Sequence, residues 1–427
     1  MTDPHEQPTP RLRVVTREVD TVDDALLYTD PSAPTFWSRR GDALAAFGES
    51  AALGRTGSEA VSGLGAQWRA LADSADIDDP VGLPGTGLIA FGALAFDPRS
   101  ETPSTLTVPR FVVGRRGDRS WVTRITHADA HSETPVTLPT RAEYGPYWSA
   151  SLGPGALDPS GYQAAVRGGL QAIAAGEVSK VVLARDLAGS VPAGSDLRRL
   201  VRALASGYPD CWTYAVDGII GASPETLVTV SGGTVTARVL AGTAPRGADA
   251  DADTAASLAL ATSAKDQDEH LYAVQSVLAS LRPHTSALAA SEQPFTLRLP
   301  NVFHLATDVE GELSGGASAL DLVAALHPTA AVAGTPTDAA LEVIRRLEPF
   351  DRGRYAGPVG WVDANGDGEW AIALRCAQFD LHAAPSGGRG RIPLSAHAGA
   401  GIVAGSDPEA ELLETRVKFR PIVDALA

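Results

Sequence analysis

The sequence predicts a mixed α/β (α+β) fold, because two kinds of apolar pattern alternate along the chain. Short apolar runs bounded by Gly, Pro and Asp indicate strands. In the first third such runs occupy 88–96, 110–114 and 121–125. Elsewhere apolar residues recur at a helical spacing, as Tyr162, Val166, Leu170 and Ile173 do. The 427 residues, of which 44% are hydrophobic, are sufficient for a sizeable core.

The first third of the chain is predicted to open with a loose polar tail, residues 1–10. Residues 11–150 follow as the N-terminal part of the fold, in which the three strands accompany a helical stretch near 42–75. The Gly- and Pro-containing stretch 151–160 indicates a connection to a new unit, 160–427. We expect that unit to form one compact body with the segment before it.

The second unit begins with the helix that contains Tyr162 and that Gly176 ends, followed by a strand at 179–187. Strands and turns from Trp212 to Val239 come next. Further helices are predicted at 266–281 (Leu271, Val274, Leu278 and Leu281 on one side), at 335–347 and from Pro408, with Asp407 as N-cap. Strands at 357–362 and 369–379 flank a hairpin turn at 365–368. The low-complexity segments 247–256 and 383–390 are predicted to be surface loops.

Composition excludes several classes of function. The 35 basic and 51 acidic residues give a net charge of −16, which disfavours a nucleic-acid binder. The sequence has no run of about 18 apolar residues, and its first residues lack an apolar signal core. Two cysteines make neither a disulfide framework nor a zinc site. We therefore expect a cytoplasmic monomer that acts on a small molecule, with no membrane and no obligatory protein partner.

Two segments resemble known binding motifs but do not match them in full. In Gly399–Gly405 the third glycine comes one position too late for a dinucleotide fingerprint. Asp363–Gly368 mimics the start of a calcium loop, but its twelfth position is Leu374 and not Glu. The hairpin interpretation of that segment is therefore preferred.

Acidic residues share a face on each of two predicted helices. Asp266 and Glu269 are three residues apart, and Glu411, Glu414 and Lys418 follow at i, i+3 and i+7. Either set alone is more often a solvated helix face. If the two faces converge, their carboxylates would suit a hard cation such as Mg²⁺.

Four polar residues stand among apolar ones. Lys180 opens the strand KVVLAR, where it is either a desolvated base or a lysine that reaches solvent. Glu225 follows a turn after another apolar strand, as a general acid or a surface glutamate. Arg375 sits inside an apolar strand, which favours an anionic partner, either a structural carboxylate or a substrate. His304 is by default a satisfied core histidine.

Taken together, the chain resembles the chorismate-utilising enzymes. The matching segments appear in the family's order over roughly 160–427, and the N-terminal third resembles the family weakly. They include KVVLAR at 180–185, GASPE at 221–225, LAGTAPRG at 240–247, AKDQDEH at 264–270, HPTAAVAGTP at 327–336, LEPFDRGRYAGPVG at 347–360 and HAGAGIVAGSDPEAELLETRVK at 397–418. Ala244 departs from the Arg that many relatives carry, and Ala264 from the Glu that some carry. The resemblance implies two packed antiparallel sheets with helices on the outside.

Within that family, the chain is most similar to the members that convert chorismate to isochorismate. Lys180 stands where those members, and the salicylate-forming ones, carry a base. Ala241 stands where aminodeoxychorismate-forming members carry a lysine nucleophile. The resemblance thus implies Mg²⁺-dependent water addition at C2 of chorismate and loss of the C4 hydroxyl. The product would serve menaquinone or siderophore synthesis, and the alternative is further pyruvate elimination to salicylate.

The resemblance also implies roles for individual residues. Lys180 would activate the water and Glu225 would protonate the departing hydroxyl. Glu269 and Glu414 would bind Mg²⁺ directly, and Asp266 and Glu411 directly or through water. The substrate would be lined or held by Gly242, Thr243, His304, Ala331, Tyr355, Arg375, Gly399 and Lys418.

The lysine count adds a separate argument. Only Lys180, Lys265 and Lys418 are lysines, and the remaining basic residues are Arg, which a high-GC coding bias would explain. All three survive inside the family segments. A general base must lose its proton, which guanidinium does not do near neutral pH, so Lys180 could not be exchanged for Arg.

Overall fold

The computed structural model describes residues 10–129, 135–298, 302–381, 383 and 390–427. The predicted tail 1–10 and the predicted loop 383–390 lie almost wholly outside this part. The side chains of five further residues also lie outside it: Thr243, Pro245, Lys265, Glu269 and Val302.

Eight α-helices lie in the described part of the chain. They are α1 Ala60–Ser74, α2 Pro159–Ala174, α3 Arg198–Gly207, α4 Ala250–Thr262, α5 Ala264–Leu281, α6 Ala319–Leu326, α7 Thr337–Leu347 and α8 Pro408–Leu426. Short 3-10 helices cover Ala25–Tyr28 and Arg282–His284. Among the described residues, no helix is both long and apolar enough to cross a membrane.

The described strands number 21. The first half of the chain contributes β1 Leu12–Val19, β2 Thr35–Arg39, β3 Asp42–Arg55, β4 Asp76–Asp78, β5 Ile89–Ala93, β6 Ser104–Arg116, β7 Arg119–His127, β8 Leu152–Pro154 and β9 Lys180–Pro192. The second half contributes β10 Trp212–Val216, β11 Ile219–Ser223, β12 Thr226–Ser231, β13 Thr234–Pro245, β14 Thr285–Ala290, β15 Phe295–Arg298, β16 Val302–Leu313, β17 Gly334–Thr335, β18 Pro358–Asp363, β19 Gly368–Ile372, β20 Cys376–Phe379 and β21 Arg391–Ile402.

Strand pairing divides into two series at β6. One series runs from β6 through β5, β18, β19, β12 and β13 to β16. The other runs from β6 through β3, β2, β10, β11, β20 and β21 to β9. All pairings in both series are antiparallel, and helices pack against them, α2 and α7 on β9, α8 on β21 and α5 on β13. The predicted mixed fold of antiparallel sheets and helices is confirmed.

Two of the points at which the chain crosses from one series to the other are neighbours. Between β11 and β12 it crosses at Pro224 and Glu225, and between β19 and β20 it crosses at 373–375. The two crossings are fastened together, since the amide of Ile372 donates to the Glu225 carbonyl at 3.1 Å and the amide of Ala222 donates to the Arg375 carbonyl at 3.2 Å. Side chains from both series can therefore meet at this point.

Most predicted elements are confirmed, with small shifts at their ends. The helix predicted near 42–75 is wrong over its first part, because 42–55 form the strand β3, paired with β2 and β6. Residues 43–46 are buried there, because their side chains pack on the two faces of the sheet that β3 forms with β2 and β6. Helix propensity is a weak prior that such packing overrides.

Three other expectations also need correction. A loop was expected over 247–256, but residues 250–262 form helix α4, with Asp249 as N-cap. The helix forms because the alanine-rich run is itself a good helix former. The predicted strand 369–379 is broken, and Arg375 lies in the break with a φ of 51° instead of inside a strand. On α5, Leu271 is 55% exposed although Val274 and Leu281 are buried.

Candidate active site

Glu225 occupies the centre of the candidate site. It is partly buried, and its surroundings raise the pKa of its carboxyl above the ordinary value. Desolvation is the largest cause, and the positive charges of Lys180, Lys418 and Arg375 oppose it in part. A carboxyl with a raised pKa that faces three cations is suited to donate a proton.

Lys180 lies at the first residue of β9, next to the end of β21. Its backbone pairs with Thr335, and its side chain crosses the neighbouring strand at Gly401. A methyl group at position 401 would lie 3.1 Å from Lys180 Cε, so glycine leaves the space that the lysine occupies. The Lys180 charge acts on both Glu225 and His304, which places the ammonium in the same site.

Helix α8 presents two charged residues to the site. Asp407 begins the helix by accepting from the amides of Glu409 and Ala410. Eleven residues further along the chain from Asp407, the Lys418 ammonium donates to the Gly399 carbonyl at 2.7 Å and pairs with Glu414 at 2.6 Å. This arrangement holds the Lys418 ammonium over the backbone of β21.

A bulge in β13 forms a further part of the candidate site. Gly242 has a φ of 78° at the shift in register between β13 and β16. The His304 ring hydrogen-bonds to the Gly242 backbone, and burial lowers the pKa of this imidazole. The charges of Lys180, Lys418 and Glu414 all act on His304, so this histidine lies within electrostatic range of the candidate site, and its role remains a prediction.

His270, which the sequence did not single out, supports this bulge from behind. It is buried, and its Nδ1 lies 3.1 Å from the Ala241 carbonyl oxygen while its Nε2 lies 2.7 Å from Thr307 Oγ1. In the sequence, only its position in the family segment AKDQDEH pointed to His270.

Arg375 and Tyr355 lie together at the crossing between β19 and β20. Tyr355 is buried and stacks on the His397 ring, with centroids 5.1 Å apart. Burial raises the pKa of its phenol, and the charge of Arg375 acts in the opposite direction. The guanidinium provides only donors and the protonated phenol provides one more, which suits a carboxylate.

The candidate metal ligands are only partly brought together. Burial and the nearby Glu414 charge raise the pKa of the Glu411 carboxyl, so these two carboxylates are close enough to repel each other. Asp266 lies beside the bulge, since a methyl group on Gly242 would be 3.4 Å from Asp266 Cβ. Within the described residues, no three His, Cys, Asp or Glu side chains are grouped as a metal site, and the Glu269 side chain lies outside them. The all-carboxylate donor set nevertheless suits a hard cation.

Two further predicted substrate contacts remain predictions. Ala331 is exposed in the turn before β17, and the next residue but one, Ala333, accepts from the Val182 amide at 2.9 Å. This turn therefore lies against the strand that begins with Lys180. The Thr243 side chain lies outside the described residues, although its backbone pairs with His304.

Comparison with known proteins identifies the class. The family model for chorismate binding enzymes matches residues 2–427, and the chain belongs to this family. It is 41% identical to the isochorismate synthase DhbC of Bacillus subtilis over 63% of this chain and 68% of that protein. It is 32% identical to the vibriobactin-specific isochorismate synthase of Vibrio cholerae, over 79% of each chain.

A solved structure shows the same fold. The menaquinone-specific isochorismate synthase MenF from Escherichia coli superposes with a TM-score of 0.73 at 26% identity, over 98% of this chain and 95% of that one. The N-terminal third, which carried little resemblance in sequence, is included in this match. The predicted membership of the chorismate-utilising enzymes is confirmed.

Proposed function

We propose that this protein is an isochorismate synthase, which converts chorismate to isochorismate for menaquinone or siderophore synthesis. The observation that carries the proposal is the environment of Glu225, a carboxyl of raised pKa that Lys180, Lys418 and Arg375 all face. The relatives described above support the same reaction. Cytoplasmic location and a monomeric state remain predictions from the sequence.

In the proposed reaction, Lys180 in its neutral form removes a proton from water as the oxygen adds to C2 of the ring. The ring double bonds shift, and the bond between C4 and its hydroxyl breaks. Glu225 gives its proton to that oxygen, which leaves as water. Water is a weak nucleophile and hydroxide a poor leaving group, so both ends of the reaction need proton transfer.

Substrate binding is proposed to rest on local positive charge. Arg375 and Tyr355 would hold the enolpyruvyl carboxylate, and Lys418 would lie near the ring carboxylate. Gly242, Thr243, Ala331 and Gly399 would line the ring with backbone groups, and His304 would present a neutral imidazole. Because exposed charges are screened beyond about 8 Å at physiological salt, the net charge of −16 does not oppose this local attraction.

Mg²⁺ is proposed as the cofactor, held by Glu269 and Glu414 with Asp266 and Glu411 directly or through water. The repulsion between Glu411 and Glu414 supports a cation at this position. When bound, the ion would neutralise the ring carboxylate and draw electron density from the diene.

A product assay tests the proposal. The purified protein is incubated with chorismate and Mg²⁺, and the products are separated by chromatography. Isochorismate in equilibrium with chorismate is the expected result. Salicylate with pyruvate as the main products would instead assign the alternative activity, and the absence of turnover would contradict both.

A further inference from the structure

A buried ion pair lies behind the candidate site, outside all the roles described so far. Glu348 follows α7, and Arg352 comes four residues later in the segment LEPFDRG. Their side chains are 1% and 2% exposed, respectively. Arg352 Nε donates to Glu348 Oε2 at 2.8 Å, and Arg352 Nη2 donates to Glu348 Oε1 at 2.6 Å.

The same pair also bonds to the backbone of two other segments. Arg352 donates to the carbonyls of Val332 at 3.0 Å and Val182 at 2.7 Å. Glu348 Oε1 accepts from the amide of Ala184 at 2.7 Å. The Arg352 guanidinium lies over the Phe96 ring, 4.4 Å from its centroid, which covers it from one side.

These bonds replace a strand that is missing at the edge of β9. On one side, β9 pairs with β21 over 12 residue pairs. On the other side, β17 pairs with Lys180 and Val181, and β8 pairs with residues 187–189, so residues 182–186 lie between them without a strand partner. In this gap the carbonyl of Val182 and the amide of Ala184 would be buried without partners, which is costly. The ion pair supplies both partners.

The two segments that the pair joins carry proposed site residues. Val182 lies two residues after Lys180 on β9, and Val332 follows Ala331 in the turn before β17. We propose that Glu348 and Arg352 are positioning residues, which hold the turn that carries Ala331 against the start of β9 and thereby fix Lys180 relative to the bound substrate. This inference rests on the proposed function.

Lysine cannot replace Arg352 in this role. Four hydrogen bonds leave the guanidinium in three directions, whereas an ammonium has three donors at a single nitrogen. The variant Arg352→Lys keeps the charge that Glu348 requires, so it tests geometry without leaving a buried carboxylate unpaired. A displacement near 1 Å costs on the order of 100-fold in rate. We therefore expect kcat to fall about 10- to 100-fold, with a smaller change in KM.

The chain offers a matched control at a second buried ion pair. Arg198 and Asp196 have side chains 0% and 3% exposed, and Arg198 donates to the carbonyls of Ala142 and Glu143 at 2.7 and 2.8 Å. This pair fastens α3 to the segment before β8, at the opposite end of β9 from Lys180. Arg198→Lys should lower the melting temperature by a similar amount and leave kcat and KM unchanged.

The experiment compares both variants with the unmodified protein in steady-state kinetics, thermal melting and hydrogen exchange. Exchange should accelerate at 180–184 and 329–334 only in Arg352→Lys, together with the loss of kcat. Unchanged kcat and KM in folded Arg352→Lys would overturn the inference, as would an equal loss of kcat in Arg198→Lys. If Arg352→Lys does not fold, the same kinetic, melting and exchange measurements are made on Glu348→Gln, and unchanged kcat and KM would again overturn the inference. Failure of the proposed function is distinguishable, because the unmodified protein would then form no isochorismate.

Discussion

The side chain of Lys180 passes so close to Gly401 that a methyl group on residue 401 would lie 3.1 Å from Lys180 Cε and 3.9 Å from its Nζ. The two residues lie on adjacent strands, β9 and β21. The lysine side chain therefore occupies space that the absence of a side chain at residue 401 leaves open. Its position depends on glycine at residue 401.

The first prediction concerns this contact. Gly401→Ala should displace the Lys180 side chain by a few tenths of an ångström and lower kcat by up to about 10-fold, because proton transfer depends steeply on position. The matched control is Gly405→Ala, since a methyl group there meets nothing within 4 Å. Steady-state kinetics on both variants checks the prediction. Equal kinetic constants in the two variants would show that the contact does not position the base.

The second prediction concerns the chemical nature of the base. Lys180→Arg should be inactive although it retains the positive charge, because guanidinium does not lose its proton near neutral pH. Lys180→Ala should be equally inactive and should bind Mg²⁺ almost normally. Turnover is measured by isochorismate formation and metal binding by calorimetry. Substantial activity in Lys180→Arg would remove Lys180 as the base.

The third prediction concerns the general acid. Glu225→Gln should lower kcat by about 100- to 10,000-fold, the usual contribution of a positioned proton donor. Because the acid must be protonated, kcat/KM of the unmodified enzyme should fall as pH rises through the raised pKa of Glu225. That decline should be absent from the residual activity of the variant. Glu310→Gln, an exposed carboxylate on β16, is the control and should retain the full profile. A decline that persists in Glu225→Gln would assign it to another group.

The fourth prediction concerns the cofactor. Glu269→Ala should raise the Mg²⁺ concentration needed for half-maximal activity at least 10-fold and weaken Mg²⁺ binding measured by calorimetry. Asp268→Ala is the control, because Asp268 is the adjacent residue and is exposed. If both variants give the metal titration of the unmodified protein, Glu269 is not a ligand.

Part of the site was accessible from the sequence because charged residues stood out in apolar segments. Four residues were identified in this way: Lys180, Glu225, Arg375 and His304. In the structure, the charges of Lys180 and Arg375 act on Glu225, and the charge of Lys180 also acts on His304. Their convergence could not be derived from spacing. It results from two chain crossings between strand series, at Glu225 and at Arg375, which only the pairing of distant strands determines.

Two of the errors in the fold have a common cause in alanine. Ala43–Ala46 were expected in a helix and are buried in β3, whereas the alanine-rich segment after Asp249 was expected in a loop and forms α4. A small side chain is compatible with helix, strand and loop, so its surroundings decide. Glycine is similar, because nothing in the segment HAGAGIVAG distinguishes Gly401, which the Lys180 side chain crosses, from Gly405, where an added methyl group would meet nothing within 4 Å.

The central claim is that water adds at C2 while the C4 hydroxyl leaves, and isotope labelling tests it most directly. Chorismate is converted in water enriched in ¹⁸O, and the isochorismate formed in the first few per cent of the reaction is examined by mass spectrometry. The account predicts one ¹⁸O atom per product molecule, at the C2 hydroxyl. Isochorismate without the label would show that the hydroxyl migrates within the substrate, and would contradict the assignment of Lys180 as the residue that activates water.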